Sequence, residues 1–97
     1  MTNRLSEIQI IPIKPQNGLV AFASFVLNES LYLGSIGIMT RPQGGYRLVY
    51  PTKKVAERSL NIFYPISREF ALAIENEVVR QFEDVMKKYD RHNSPNS

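Results

Sequence analysis

Four basic residues near the middle of the chain have the types and the spacing that can bind an anion. Lys53 and Lys54 are adjacent in a polar connection over residues 51–59, which also contains Arg58. Arg47 lies shortly before this connection, on a predicted strand. Lys and Arg side chains on a loop contact phosphate oxygens without a geometric code, and these contacts supply affinity that does not depend on base sequence. The spacing therefore favours a polyanionic ligand, with an ordinary solvated loop as the alternative.

Three tyrosines lie close to these basic residues in the sequence: Tyr46, Tyr50 and Tyr64. An aromatic ring that faces solvent can stack on an unpaired base, which is a common way of binding single-stranded nucleic acid. The same tyrosines also fit the interior of the protein, where their rings would fill the core. Both interpretations stay open at this point.

The charge is unevenly distributed along the chain, although the formal net charge is only +3. Residues 1–66 hold seven Lys and Arg against three acids, whereas residues 67–97 hold five against six. The basic surplus therefore lies in the first two thirds of the chain. A nucleic acid partner fits this surplus, but a surplus of this size is also found on surfaces that bind nothing.

Residue types that support catalysis are present but are not arranged for it. The chain has no Cys, and its single His, His92, falls in a predicted tail where nothing holds it in place. Carboxylates that are adjacent or two positions apart on a helix do not face each other. The sequence brings no base to the Ser and Thr hydroxyls, and the glycines do not have the spacing of a phosphate-binding loop. We therefore predict that the protein is not an enzyme and uses no cofactor, no metal ion and no small-molecule substrate. The positions considered are Ser24, Ser35, Thr40, Gly34, Gly37, Gly44, Gly45, Glu75, Glu77, Glu83 and Asp84.

Hydropathy along the chain indicates where the protein acts. No apolar run reaches the roughly 18 residues that a membrane-spanning helix needs. The first residues are polar and do not form the apolar core of a secretory signal. We expect a cytoplasmic protein that makes no use of a membrane.

Turn signals divide the first two thirds of the chain into strand-like segments. Pro12 cannot donate to a ladder, so a bulge or an edge position is expected in the first segment. The polar connection over residues 51–59 can include a helical turn. The predicted strands cover residues 6–13, 19–27, 31–39, 46–50 and 60–64, with turns at residues 14–18, 28–30 and 40–45.

Apolar residues recur every three or four positions after Ser67, which is the pattern of an amphipathic helix. Ser67 is the predicted N-cap, and Glu69 places an acid in the first turn, where the helix dipole favours it. We predict a helix over residues 68–89 and a disordered tail over residues 90–97. The fold class is therefore α+β: a largely antiparallel five-stranded sheet followed by one long C-terminal helix, in a single domain over residues 1–89. The apolar positions are Phe70, Ile74, Val78, Phe82, Val85, Met86 and Tyr89.

The segment over residues 19–27 has apolar side chains at both alternating sets of positions, so a strand there must be covered on both faces. One helix covers only one face of a five-stranded sheet. Either the sheet curls or a second copy of the chain covers the other face. We predict a homodimer, because two-fold pairing is the commonest arrangement of soluble proteins that assemble.

Two short motifs follow one another in the second half of the chain. Pro51, Lys53 and Lys54 belong to the first, and Pro65 and Ile66 belong to the second, which a predicted helix follows. In their order and spacing they resemble the stage V sporulation protein G (SpoVG) family of bacterial septation regulators, whose motifs are of the types Met-Pro-Ser-Lys-Arg and His-Pro-Ile-Asn. The resemblance covers roughly residues 7–89 and includes the family's Ala-x-Ala-Ser strand, through Ala21, Ala23 and Ser24.

This resemblance implies a cytoplasmic dimer that binds DNA or RNA and regulates gene expression around septation, cell division and sporulation. It implies that Lys53 and Lys54 contact the nucleic acid, and Arg47 and Arg58 join them as candidates by position. Tyr64 stands where the family has His, and residues 55–58 replace an acidic insert, so a preferred base sequence cannot be carried over. The alternative is a protein-interaction module that engages a division or sporulation partner through the dimer surface or the edge strand near residues 8–13.

Overall fold

The computed structural model describes residues 3–92, with side chains described through residue 89. β1, β2, β3 and β4 form one antiparallel sheet in that order, and β5 and β6 form a separate two-stranded sheet. A single helix follows the strands, which confirms the predicted α+β class. The elements are β1 (Leu5–Gln16), β2 (Leu19–Leu27), β3 (Leu31–Thr40), β4 (Tyr46–Val49), β5 (Thr52–Val55), β6 (Arg58–Asn61) and α1 (Arg68–His92).

The end of the strand region differs from the prediction of a fifth strand over residues 60–64 in the main sheet. The polar connection contains no helical turn but forms β5, a turn at residues 56–57 and β6, and the main sheet has four strands. The N–H of Ile62 donates to the carbonyl of Pro51 at 3.1 Å and closes the base of this hairpin. Periodicity did not reveal the hairpin because alternation of apolar and polar residues marks only a strand with one buried face.

β1 lies at one edge of the main sheet, as its proline predicted. Its register against β2 shifts between Pro12 and Gln16, which confirms the expected irregularity, and shifts again between Ser6 and Gln9. The strand continues three residues further than predicted, to a tight turn in which Asn17 and Gly18 have φ of 53° and 92°. Positive φ at both positions is the two-residue hairpin geometry that Asn-Gly favours.

The helix begins where its cap was predicted. The Phe70 N–H donates to Ser67 Oγ at 3.2 Å, so the cap serine satisfies a backbone donor that has no partner within the helix. Ile74, Val78 and Phe82 are buried and form the helix side of the core. The helix ends at His92, three residues beyond the predicted end, and residues 93–97 of the predicted tail lie outside the described residues. Within residues 3–92, no helix has the length and apolar character to cross a membrane.

Cross-strand rows of side chains show which face of the main sheet the helix covers. Ile10, Ala23 and Ile36 pair directly across β1, β2 and β3. Ala23 and Ile36 belong to the buried cluster that includes the helix residues, and Ile10 packs against that cluster. This row and its neighbours of the same parity therefore face α1, and the intervening rows face away from it.

One core side chain carries a polar group that makes no hydrogen bond within the described part of the chain. The ring of Tyr50 packs edge-on against Phe63, with centroids 6.0 Å apart. Its Oη is buried and has no hydrogen-bond partner among the described residues. Burial, and next the nearby Glu75 carboxylate, raise the pKa of Tyr50 to about 12.

We expect Tyr50→Phe to leave stability at neutral pH unchanged or slightly higher, because the substitution removes a buried hydroxyl that makes no hydrogen bond. At alkaline pH the two proteins should differ more. Between pH 10 and about 12 the unfolded tyrosine has lost its proton and the folded one has not, so stability falls as pH rises. Tyr50→Phe removes this contribution. Urea unfolding at pH 7 and pH 11 checks it, and an equal alkaline decline in both proteins would contradict it.

Candidate nucleic-acid interface

The β5–β6 hairpin carries three of the four predicted basic site residues. Its two strands pair antiparallel in the register Thr52↔Asn61, Lys53↔Leu60, Lys54↔Ser59 and Val55↔Arg58. All eight strand residues are exposed. The sequence therefore places its basic motif on a small two-stranded ribbon at the protein surface, where a large ligand can reach it.

The register places the two adjacent lysines on opposite faces of the ribbon. Successive residues of a strand point to opposite sides, and directly paired residues share a side. We call one side the polar face; its residues are Thr52, Lys54, Ser59 and Asn61. The other side is the mixed face, with residues Lys53, Val55, Arg58 and Leu60. The two lysines were predicted to form one cluster, and the ribbon places them on different faces.

The basic residues of the ribbon form no ion pair with any side chain that the structure describes. Elsewhere, arginines pair with carboxylates: Arg4 with Glu29 at 3.1 Å and Arg41 with Glu75 at 3.0 Å. Arg80 pairs with carboxylates of its own helix. Across the described side chains, no carboxylate lies within ion-pair distance of the cationic groups of Lys53, Lys54 or Arg58. Their charges are therefore available to an anion from outside the protein.

Arg47 lies apart from the other three candidates. It is on β4 in the main sheet, directly opposite Met39 of β3, and its guanidinium Nη2 lies 3.9 Å from the Met39 sulfur. The neighbouring Leu48 packs against the buried core, so Arg47 is on the sheet face that looks away from the helix. The structure brings Lys53 and Arg58 to one face of the ribbon and keeps Arg47 on a different sheet.

Of the three tyrosines that were considered for base stacking, two pack in the core and one is exposed. Tyr46 packs edge-on against Phe82, with ring centroids 4.9 Å apart, and Tyr50 packs against Phe63. Both pack against the core, so the core interpretation holds for them. Tyr64 lies between β6 and α1 and is more than half exposed. Only Tyr64 of the three is left as a surface for base stacking.

The face of the main sheet opposite the helix carries an exposed apolar row. Ile11, Phe22, Gly37 and Val49 pair directly across β1, β2, β3 and β4, and we call them the outer row. Ile11 is 62% exposed and Phe22 38%. A Cβ on Gly37 would lie 3.0 Å from Leu19 Cδ1, so glycine lets the Leu19 side chain pack closely against β3 at this position. The second apolar face of the sheet, which the sequence of β2 predicted, is therefore present, and the helix does not cover it.

A second set of exposed apolar residues was not found from the sequence. Leu60, Ile62, Tyr64 and Ile66 occupy alternate positions from β6 to the start of the helix, and Ile66 is 91% exposed. Together with Val55, which lies on the same face of the hairpin as Leu60, they form what we call the apolar strip. The alternation of period two over residues 60–64 predicted a strand of the main sheet, in which these side chains would be partly covered, and the structure leaves them exposed outside that sheet.

The described part of the chain holds no group of three or more His, Asp and Glu side chains that could bind a metal ion. The fold and the site thus define a small α+β protein that presents a basic two-stranded ribbon.

The family model for SpoVG matches residues 3–84, which is most of the chain. The chain belongs to the SpoVG family. Membership supports a role related to sporulation and septation. No curated protein matches the chain.

Proposed function

We propose that this protein is a cytoplasmic, non-enzymatic and dimeric regulator that binds DNA, with RNA as a second candidate ligand, in the control of septation and sporulation. The observation that carries the proposal is the exposed ribbon whose three cationic side chains have no carboxylate partner within the described residues. Phosphate contacts by such side chains supply most of the affinity of proteins for nucleic acid. Lys53 and Lys54 are the proposed phosphate contacts, with Arg58 and Arg47 as further candidates.

The outer row supports the dimer. Phe22 and Val49 remain more than a third exposed on a sheet face that the single helix of the described chain does not cover. Leu19 and Met39 lie beside them and line a groove on the same face. A second copy that placed its own outer row against this one would bury both through a two-fold contact.

The test is a panel of duplex DNA, single-stranded DNA and RNA, titrated with the protein at salt concentrations from about 50 to 200 mM. The mass of the protein in solution is measured on the same sample. We expect a dimer whose affinity falls steeply as salt rises, because phosphate contacts release counterions. Weak, salt-independent binding to all three ligands would overturn the nucleic-acid proposal, and a monomeric mass would overturn the dimer.

The apolar strip favours one rival function, a protein-interaction module that acts on a division or sporulation partner. Apolar side chains as exposed as Ile62 and Ile66 are typical of surfaces that meet another protein. The rival predicts a function that depends little on salt. It also predicts loss of the partner on substitution of the strip, or on introduction of proline into the edge strand β1.

A further inference from the structure

We infer that the open edge of β6 takes up an extended, acidic segment of another protein as a third strand, whose apolar side chains cover the apolar strip and whose carboxylates pair with Lys53 and Arg58. The inference goes beyond the proposed function, because it concerns a protein ligand and names its chemistry. It does not require that the ribbon binds nucleic acid.

The ribbon lacks the contacts that stabilise a small sheet. Within the described residues β5 and β6 pair only with each other, and all eight of their residues are exposed. A two-stranded hairpin alone is marginally stable in water, and it gains stability from a third strand or from a packed face. The base of the ribbon is nevertheless held in place, because the rings of Tyr50 and Phe63 pack together just before β5 and just after β6. The ribbon is therefore a positioned but incomplete sheet.

The hydrogen-bonding pattern leaves one edge of β6 open. The Ile62 N–H donates to the Pro51 carbonyl at 3.1 Å, so the backbone of Ile62 points towards the β5 side. In an antiparallel ladder the N–H and C=O groups of successive residues point to opposite edges. The backbone groups of Ser59 and Asn61 therefore point away from β5, to an edge where no described strand lies. An edge of this kind accepts another chain by strand addition.

The side chains beside this edge determine which kind of strand fits. Leu60, Ile62 and Tyr64 are exposed and occupy alternate positions from β6 onwards. An added strand with apolar side chains at alternate positions would pack against them and remove them from water. Lys53 and Arg58 lie on the same face of the ribbon, and neither forms an ion pair with a described carboxylate. Acidic residues in the added strand would supply the missing partners.

The charge of this face disfavours a second copy of the chain as the occupant. A two-fold contact between two apolar strips would place Lys53 and Arg58 of one copy against the same residues of the other. Like charges that meet in an interface oppose association. Phosphates can engage the two cations, but they leave the aliphatic side chains in water. A segment that is both acidic and apolar satisfies the cations, the aliphatic side chains and the open backbone groups together.

The test begins with selection of peptides from a random display library, with the full chain as the bait. The most enriched peptide is then synthesised, and its affinity is measured for the wild type and for three variants, each with a matched control. The salt dependence of each affinity is recorded as well. Selection against the whole chain also samples the outer row, so the variants decide which surface a peptide uses.

The three pairs of variants separate the three parts of the proposed contact. Leu60→Ser removes an apolar side chain from the strip, and Leu31→Ser does the same on β3, where the leucine is 52% exposed against 46% for Leu60. Asn61→Pro removes a backbone donor from the open edge, where proline is tolerated, and Asn61→Ala changes only the side chain. Arg58→Gln and Lys87→Gln each remove one positive charge, the first on the ribbon and the second on α1.

We expect the enriched peptides to be acidic, with apolar residues at alternate positions. Leu60→Ser should lower the peptide affinity about 10-fold, as truncation of an apolar anchor in an interface does. Asn61→Pro should lower it about 5-fold, because one backbone hydrogen bond is lost. Arg58→Gln should lower both the affinity and its dependence on salt, because an ion pair is lost. The three control variants should keep the wild-type affinity.

Four results would overturn the inference. They are a library that yields no binding peptide, enrichment of basic peptides, an affinity that Leu60→Ser and Asn61→Pro leave unchanged, and equal losses in Arg58→Gln and Lys87→Gln. A wild type that binds the peptide but no nucleic acid would instead overturn the proposed function and leave this inference standing.

A competition measurement connects the two ligands, because Lys53 and Arg58 are also nucleic-acid contacts under the proposed function. Saturating peptide should weaken the binding of nucleic acid to the wild type. An unchanged affinity for nucleic acid would overturn the pairing of the peptide with these two cations.

Discussion

Replacing Lys53 and Lys54 together with glutamine should lower the affinity for every bound nucleic acid by up to about 60-fold at 0.1 M salt. Each phosphate contact contributes about 0.9 to the slope of log affinity against log salt, so two contacts contribute about 1.8. Over the tenfold difference between 1 M and 0.1 M salt, a slope of about 1.8 corresponds to a change of about 60-fold in affinity. Because phosphates are the same in all sequences, the loss should be similar on specific and scrambled ligands.

A second pair of adjacent lysines provides the control for this variant. Lys87 and Lys88 are exposed near the end of α1, far along the chain from the ribbon. The variant Lys87→Gln with Lys88→Gln changes the net charge by the same amount, so its effect measures the contribution of total charge alone. We expect it to keep wild-type affinity and salt slope. Equal losses in the two double variants would show that overall charge, and not the ribbon, drives binding.

The second large effect is expected in the core, where Phe25→Ala should lower the free energy of unfolding by about 3–5 kcal/mol. Phe25 is fully buried on β2, in the cluster that joins the sheet to α1. Its truncation removes apolar contacts and leaves a cavity beneath the helix. A domain of this size is stable by roughly 5–15 kcal/mol, so the variant should lose a large part of its stability. Urea unfolding measures it as a lower midpoint with an unchanged slope.

Phe22→Ala is the matched control for Phe25→Ala. The two phenylalanines lie three residues apart on the same strand, but Phe22 belongs to the outer row and is 38% exposed. Its truncation should cost the single chain much less stability and should instead shift the mass in solution from dimer towards monomer. Unfolding at several protein concentrations separates the two effects. Similar losses of stability in both variants, without a change of mass, would contradict the assignment of the outer row to the dimer.

The proposed dimer determines how two ribbons would be presented to DNA. A dimer formed through the outer row would contain two ribbons. Each ribbon would lie close to the dimer contact, because Thr52 at its base lines the same groove as the outer row. Two-fold symmetric proteins read two half-sites whose spacing mirrors the spacing of their reading elements.

Much of the fold was predictable because it is encoded by interactions between residues close together in the chain. Asn17 and Gly18 adopt positive φ at the predicted turn, and Ser67 accepts the hydrogen bond that starts the helix. The helical stripe identified Ile74, Val78 and Phe82, all of them buried. Turn and capping chemistry acts over three or four residues, so it is visible in a single sequence.

The candidate site was predictable only as a group of residue types. Lys53, Lys54 and Arg58 were identified, and the structure does place them together on one ribbon, but their division between two faces depends on the pairing of β5 with β6. That hairpin has no buried face, so its strands carry no hydrophobic alternation to reveal them. The position of Arg47 apart from the ribbon likewise follows from its pairing with β3.

By itself, the sequence determined the α+β class, the positions of the first four strands and their turns along the chain, the start of the helix and the resemblance to the SpoVG family. Only the tertiary structure decided which arginines pair with carboxylates, which lysine faces which way, and which apolar residues form the outer row. The physical reason is that register between strands sets sidedness, and a shift of one residue moves every side chain to the opposite face. That register arises from contacts between residues far apart in the chain, such as Ile11 with Phe22 and Gly37 with Val49.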